Sequence, residues 1–137
     1  MWKAPAGSFG IIALLLVSIG CARREANIES VLAPDVDRWK RSSLSPKAPA
    51  GFPGEVRRFG VRSAHTAAYQ GPGRIEADLY ELNSDAAGLD LVQKWRPAAN
   101  TVVFHRDRWF AVVRWDSAER DAVTAFVRAL EKQLGSR

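Results

Sequence analysis

The chain has 137 residues, of which 47% are hydrophobic and five are tryptophan, so it has enough apolar side chains to bury a core. These values exclude a wholly disordered chain and leave room for one domain with a short flanking segment. The formal net charge is +5, but basic and acidic residues are interspersed, which argues against a nucleic-acid-binding face.

Residues 1–20 have the layout of a secretory signal peptide. Lys3 supplies a positive charge, an apolar run extends from Phe9 to Ile19, and the small residue Gly20 precedes Cys21. A transmembrane helix needs roughly 17 to 25 apolar residues, and this run has 11. The pattern therefore predicts a signal peptide, with ordinary secretion and an uncleaved anchor as the alternatives to lipid attachment.

The segment Val17-Ser18-Ile19-Gly20-Cys21 resembles the lipobox of bacterial lipoproteins. The resemblance implies that the Cys21 thiol carries a diacylglyceryl group and that the mature N-terminus bears three acyl chains, which anchor a protein stably. Ala22 resembles the residue that follows the cysteine in lipoproteins sorted to the outer membrane, facing the periplasm. The resemblance thus implies a bacterial cell-envelope protein whose membrane contact is the lipid on Cys21.

Cys21 is also the only cysteine, which excludes a disulfide framework and a metal site built from several thiolates. The adjacent Arg23 and Arg24 would either contact anionic lipid headgroups or remain solvated in the tether.

Residues 21–54 are predicted to be a lipidated tether and adaptor segment. Asn27 to Leu32 can form one or two helical turns, which Pro34 would end. Trp39 is an isolated aromatic residue in a polar stretch, and residues 45–54 contain enough proline and glycine to predict a loop.

Residues 55–137 are predicted to form a small α+β domain. Val56 to Val61 and Ala64 to Gln70 are short extended candidates, and Arg74 to Leu82 alternates between apolar and mostly polar residues. One side of that strand carries Ile75, Ala77 and Leu79, and the other carries Glu76, Asp78 and Tyr80. The intervening Gly71-Pro72-Gly73 predicts a β-hairpin.

A helix is predicted over 84–96, because Ser84 is a good cap, Asp85 places an acid in the first turn, and Pro97 ends the pattern. A second hairpin follows, with strands from Thr101 to His105 and from Arg108 to Trp115. The latter strand is apolar on both faces, which predicts a central position in the sheet.

The final helix is predicted to begin at Asp116, with Glu119 completing a capping box, and to end at Gly135. The order β-β-β-α-β-β-α predicts an α+β fold, an antiparallel sheet of about five strands with two helices packed on one face. The opposite face would expose three large side chains, those of Tyr80, Phe110 and Val112. We expect the adaptor to cover that face with Val31, Leu32 and Trp39.

Three further parts of the sequence form a recognisable pattern: Tyr69-Gln70-Gly71-Pro72-Gly73, then Asp78-Leu79-Tyr80-Glu81-Leu82-Asn83-Ser84, then Ala86, Ala87 and Trp95. With this pattern, roughly residues 31–134 resemble a family of uncharacterised exported bacterial proteins. The resemblance implies a fold and no assigned activity.

His65 and His105 are the only histidines and lie 40 positions apart on different predicted hairpins. If the hairpins are neighbours, they could form a metal site with Glu76 or Asp78. The alternative is that His105 is an exposed turn residue and that His65 is an ordinary strand residue, and we expect no metal and no cofactor.

Glu76 and Asp78 share a strand face, roughly 7 Å apart. Such a pair can perform acid/base catalysis when its two pKa values differ. The alternative is that Arg62, Arg74 or Arg114 forms ion pairs with these carboxylates. No serine lies in a nucleophile-elbow motif, and Gly71-Pro72-Gly73 lacks the sequence of a phosphate-binding loop.

The aromatic residues are the remaining candidates for binding. Trp109 and Trp115 share one face of the last strand, which is either core or, if open, a patch for a ligand or partner. The other candidates are Trp39, Tyr80 and Phe110.

Two functions follow as hypotheses. The first is a lipid-anchored, non-enzymatic module of the cell envelope that binds a protein partner or an apolar ligand. The second is a small periplasmic enzyme that uses His65 with Glu76 or Asp78.

Overall fold

The computed structural model describes residues 27–96 and 98–135. The predicted signal peptide, Cys21, Ala22 and the two arginines that follow lie outside the described residues, as does Pro97.

The described part of the chain begins with α1 over Ile28–Val31, β1 over Asp35–Val36 and β2 over Trp39–Pro46. A 3₁₀ turn over Pro49–Gly51 and α2 over Gly54–Arg57 lead to β3, Val61–Gln70, and β4, Arg74–Leu82. The remaining elements are α3 over Asp85–Lys94, β5 over Thr101–Arg106, β6 over Trp109–Asp116 and α4 over Arg120–Gly135.

The strands form one antiparallel sheet in the order β1-β2-β3-β4-β6-β5. The predicted α+β fold with an antiparallel sheet is confirmed. The predicted strand from Val56 to Val61 is wrong, because α2 occupies Gly54–Arg57 and β3 begins only at Val61. The sheet nevertheless has six strands, because residues 35–46, predicted to lie in the adaptor, form β1 and β2 and pair with β3 through β2. The sheet therefore continues across the predicted boundary at residue 54.

The hairpin between β3 and β4 is confirmed, with Gln70 paired to Arg74 across its turn. A Cβ atom at Gly71 would lie 2.7 Å from the Arg38 carbonyl oxygen, and one at Gly73 would lie 2.5 Å from the Ser117 carbonyl oxygen. Glycine is required at both positions because neighbouring backbone approaches this turn closely.

We call the side of the sheet that carries Ile75, Ala77 and Leu79 the α4 face, because α4 packs there. The ring of Phe126 in α4 makes edge contacts with Trp39 and Tyr69, at centroid distances of 6.1 and 5.0 Å. Such aromatic pairs add about 0.5–1.5 kcal/mol each to the effect of burial.

The helix α4 begins at Arg120, four positions after the predicted start at Asp116. Asp116 instead continues β6 and pairs with Arg74. The chain then turns at Ser117, whose φ of 53° is in the left-handed region. The predicted capping box therefore does not form, because its first residue belongs to the strand.

The opposite side of the sheet carries Asp78, Tyr80 and Leu82, and we call it the α3 face. The Ser84 hydroxyl caps α3 by accepting a hydrogen bond from the Ala87 amide at 3.2 Å, as predicted. Leu91 of α3 is buried in the same cluster as Tyr80. The two long helices thus lie on opposite faces of the sheet, not on one face as expected.

The helices lie on opposite faces of the sheet because β6 is apolar on both sides. Phe110 and Val112 are buried on the α3 face, and Ala111 and Val113 are buried on the α4 face. A strand that is apolar on both sides needs a covering layer on each side. The prediction that this strand lies inside the sheet is confirmed, since β6 is flanked by β4 and β5.

The predicted position of the adaptor is wrong. Val31, Leu32 and Trp39 are buried on the α4 face, where the Trp39 indole N–H donates to the Ala122 carbonyl at 3.3 Å. The α3 face is covered instead by α3 and by the segment from Phe52 to Phe59. Its first residue, Phe52, packs edge-on against the Tyr80 ring at a centroid distance of 5.4 Å.

Candidate functional site

The most distinctive polar group of the α3 face is the Asp78 carboxylate in β4, which is fully buried. Its Oδ1 atom accepts a hydrogen bond from the Thr66 hydroxyl at 2.7 Å. Its Oδ2 atom accepts from Lys47 Nζ at 2.8 Å and from Arg114 Nη1 and Nη2 at 3.0 and 2.9 Å. A buried carboxylate is tolerated only with partners of this kind, because an unpaired buried charge is very costly.

The elements of the sheet bring these side chains together. Thr66 in β3 lies directly opposite Asp78, and Val112 lies opposite Asp78 on the other side. Arg114 is two positions further along β6 and therefore shares its face. Lys47 follows the end of β2, and its amide donates to the Ala64 carbonyl at 2.8 Å, which fixes the start of its side chain.

Lys47 links the carboxylate to an aromatic ring. Its Nζ atom lies 5.9 Å from the centroid of the Tyr80 ring. Burial alone would lower the pKa of the Lys47 ammonium, but the hydrogen bond and charge of Asp78, with smaller effects of Tyr80, raise that pKa overall. The ammonium therefore stays charged, which keeps the Asp78 carboxylate neutralised.

Tyr80 is fully buried beside this ion pair. Its hydroxyl has no hydrogen-bond partner of ordinary geometry among the described residues, although Lys47 is near enough to influence its titration. Burial and the charge of Asp78 raise the pKa of the Tyr80 phenol, while Lys47 and Arg114 oppose that shift. The phenol therefore stays protonated at neutral pH.

Arg114 connects the buried carboxylate to the surface. Its side chain is 40% exposed, whereas that of Asp78 is 0% exposed. It also lies 3.5 Å from the Glu76 carboxylate, whose side chain is 56% exposed. Because the guanidinium is planar and Asp78 binds its two terminal nitrogens, the orientation of the Arg114 side chain is defined.

Arg114 lines a groove of about 270 Å³ at the end of the sheet where β4 begins. The charged residues of the groove lie on the α3 face, where Arg74 is opposite Asp116 and Glu76 is opposite Arg114. The groove lining comprises Ser42, Ala68, Tyr69, Gln70, Arg74, Ile75, Glu76, Arg114, Trp115 and Asp116. With two arginines and two acids around it, the groove offers both hydrogen-bond donors and acceptors.

The structure separates the histidines. His65 lies opposite Leu79 and therefore faces the α4 side of the sheet, whereas His105 lies opposite Phe110 on the α3 face. Burial lowers the pKa of His65, and its Nδ1 atom has no hydrogen-bond partner among the described residues. The alternative in which the two histidines meet in a metal site is therefore wrong, because they lie on opposite faces of the sheet.

The same registers separate His65 from the carboxylates. Glu76 and Asp78 lie opposite Ala68 and Thr66 on the α3 face, so His65 points away from both. His105 lies instead beside Asp85, with 3.4 Å between its Nδ1 atom and the carboxylate. Among the residues that the structure describes, no cluster of three or more histidine, cysteine or acidic side chains is arranged to hold a metal ion.

Most of the aromatic candidates belong to the core. Trp39, Tyr80 and Phe110 are fully buried and Trp109 is 7% exposed, so these four pack the domain and cannot form a surface patch. Tyr80, Trp109 and Phe110 are buried because β4 and β6 are covered on both faces, and Trp39 of β2 is buried because it packs against α4. Trp115 is half-buried and packs against the core of the α4 face, on the side of the sheet opposite the Arg114 side chain.

Sequence reasoning identified part of this site. The alternative in which Arg114 pairs with Glu76 and Asp78 is confirmed, whereas no such pair is formed by Arg62 or Arg74 among the described residues. The role of Lys47 was missed, because it lies in a predicted loop 31 positions from Asp78. The alternation in β4 places Asp78 and Tyr80 on the same face of the strand. An acid that shares a face with a large aromatic ring was the available sequence signal that the Asp78 carboxylate is buried.

Comparison with protein-family models, curated proteins and solved structures finds no match to this chain. The lipobox resemblance and the resemblance of residues 31–134 therefore stay predictions. None of the helices in the described part of the chain combines the length and apolar character needed to cross a membrane.

Proposed function

We propose that this chain is a lipid-anchored, non-enzymatic module of the bacterial cell envelope that binds a segment of an envelope protein in the groove beside Arg114. The observation that carries the proposal is that Arg114 is bound by the buried Asp78, is 40% exposed and lines the groove. A guanidinium whose orientation is already fixed loses little conformational entropy when it binds a carboxylate or a carbonyl.

The chemistry of the groove favours a peptide over an apolar ligand. Arg74 and Arg114 alternate with Glu76 and Asp116 around it, so a bound segment would meet donors and acceptors in turn. Ligand sites for apolar molecules are enclosed and mostly hydrophobic. An open groove with charges of both signs matches instead the polar surface through which proteins recognise one another.

The anchor is supported by the lipobox resemblance at Cys21. The structure's first described residue, Asn27, comes six positions later. A fully extended segment of this length spans about 20 Å, which would hold the domain close to the bilayer surface. A partner would then be a membrane protein or another envelope protein within that distance.

The anchor and the groove require separate experiments. For the anchor, cells expressing the wild type or Cys21→Ala are labelled with an alkyne fatty acid and fractionated. The wild type should be labelled and remain with the membranes, and the variant should lose both properties. Equal labelling of the two proteins would refute the lipidation of Cys21.

For the groove, a photo-crosslinking amino acid is placed at Ser42, which lines the groove, and at Thr124, an exposed position of α4, as the matched control. We expect a discrete adduct with one envelope protein from position 42 and none from position 124. Arg114→Lys, which keeps the charge but loses the planar pair of donors, should abolish that adduct. An adduct pattern identical at the two positions would contradict the proposal.

A further inference from the structure

The two edges of the sheet differ in how they are protected. At one edge, β1 has two residues and directly follows Pro34. At the other edge, β5 has six residues, Thr-Val-Val-Phe-His-Arg, with no proline and with its arginine at the end. An edge strand offers unpaired backbone groups to another strand unless it is short, charged or interrupted.

Apolar side chains flank this open edge on both faces of the sheet. Val102 of β5, on the α4 face, is 36% exposed, and Leu89 of α3 is 47% exposed. These are the exposed large hydrophobic side chains among the residues that the structure describes. Both belong to the elements at the β5 edge.

The position of Leu89 follows from its helix. Asp85, one turn earlier on the same side of α3, lies 3.4 Å from His105 of β5. A Cβ atom at the adjacent Gly88 would lie 3.0 Å from the Cβ of His105, so α3 packs directly over β5. Leu89 therefore lies above the edge strand, on the face opposite Val102.

We propose that β5 pairs with β5 of a second copy of this chain, in an antiparallel two-fold arrangement centred on Val103. This interaction is independent of the function proposed for the groove. In this register Val103 meets its own counterpart on the α3 face, and Val102 meets Phe104 of the other copy on the α4 face. Directly opposite apolar and β-branched pairs of this kind stabilise a sheet, and a two-fold interface repeats the favourable Val102–Phe104 pair.

The charges near the edge are compatible with this register. Arg106 shares the surface at the end of β5 with Arg128 and Lys132 of α4. Arg106 and its counterpart would be six residues apart along the paired strands, about 20 Å, which exceeds the Debye length of about 8 Å at physiological salt. Arg106 therefore does not oppose its counterpart across the interface, and the same surface region also contains the acidic Glu131 of α4.

Disulfide trapping of the full-length chain tests the register. In Val103→Cys the two new thiols would lie on directly opposite residues, whose Cα separation of about 4.5–5.5 Å permits a disulfide. The matched control is Arg106→Cys on the same strand, whose thiols are too far apart to bridge. The wild type, whose only cysteine is Cys21, shows how much cross-linking arises from the Cys21 thiol itself. We expect a cross-linked dimer for Val103→Cys only, and equal cross-linking of the two variants would overturn the proposal.

A second measurement does not depend on cross-linking. The mass of the wild-type full chain in detergent, measured by sedimentation, should be that of a dimer. Val102→Lys replaces an exposed side chain at the edge, so the fold should persist, as circular dichroism would verify, while the dimer is lost. A wild-type monomer, or a dimer that persists in Val102→Lys, would refute pairing through β5.

Discussion

The fully buried Asp78 carboxylate accepts hydrogen bonds from both terminal nitrogens of Arg114, at 3.0 and 2.9 Å, while the Arg114 side chain is 40% exposed. The pair thus extends from the interior of the sheet to its surface. Lys47 binds the same carboxylate oxygen at 2.8 Å. The buried Asp78 carboxylate therefore positions two cations, Lys47 just beyond β2 and Arg114 in β6. Any change at Asp78 should therefore affect both stability and the groove.

Replacing Asp78 with asparagine should strongly destabilise the protein. Asp78→Asn keeps the shape of the side chain but leaves Lys47 and Arg114 without their buried counter-charge, and breaking a buried ion pair in this way costs about 3–5 kcal/mol. Glu76→Gln is the matched control, because it removes an exposed partner of Arg114 at an expected cost below about 1 kcal/mol. Urea unfolding measures both. Equal costs for the two variants would mean that the buried network contributes no more than a surface pair.

Two tyrosines should respond differently to the loss of their hydroxyl groups. The Tyr69 hydroxyl donates to the Ala33 carbonyl at 2.9 Å, whereas the Tyr80 hydroxyl has no partner of ordinary geometry among the described residues. Tyr69→Phe should therefore lower the free energy of unfolding by about 1 kcal/mol, and Tyr80→Phe should leave it unchanged or raise it. Denaturant titration at pH 7 makes the comparison. The reverse order would show that the Tyr80 hydroxyl has a stabilising partner.

His65 should make stability depend on pH below neutrality. Burial lowers the pKa of His65 from its ordinary value of 6.5, so the unfolded chain takes up a proton at a higher pH than the folded chain does. The stabilising contribution is present above pH 6.5 and is lost as the pH falls through the folded-state value. The free energy of unfolding of His65→Gln, measured from pH 8 to pH 5, should therefore decline less than that of the wild type. Parallel curves would contradict this assignment.

Two glycine positions should differ in their tolerance of a methyl group. At Gly73 a Cβ atom would lie 2.5 Å from the Ser117 carbonyl oxygen, whereas at Gly54 no atom lies within 4 Å of that position. Gly73→Ala should cost about 1–3 kcal/mol through forced displacement of the backbone. Gly54→Ala should be neutral, or stabilising by less than about 1 kcal/mol. Melting temperatures of the two variants check this, and a tolerated Gly73→Ala would show that the turn beside Ser117 can move.

Short sequence patterns correctly predicted the elements that are determined by neighbouring residues, such as alternating strands and capped helices. The alternation from Arg74 to Leu82 matches β4 at both ends, and Ser84 caps α3 as its side chain suggested. The strand β2 was missed because its sequence is mostly polar between Trp39 and Leu44, with an irregular register at Arg41 to Ser43.

The candidate site depended on information that no local window contains. The alternation of a strand's sequence shows which side chains share a face of the sheet. Whether a helix covers that face depends on how the elements pack together, which the sequence of the strand does not show. The pattern placed Glu76 and Asp78 together correctly, yet one is 56% exposed and the other fully buried. One of the partners that make the burial of Asp78 possible is Lys47, which follows β2 and could not be located before the register of β2 was known.

The hydrogen bond from Trp39 to Ala122 joins residues 83 positions apart, and α4 contacts both edge strands, β1 and β5. The first strands of the sheet therefore obtain their covering layer from the last 16 residues of the described chain. During synthesis at the ribosome, or passage through a narrow channel from the N-terminus, the α4 face stays uncovered until α4 emerges. Because these contacts join distant parts of the sequence, the domain would complete its folding only after α4 has emerged. The chain would therefore stay unfolded while most of it passes through a narrow channel.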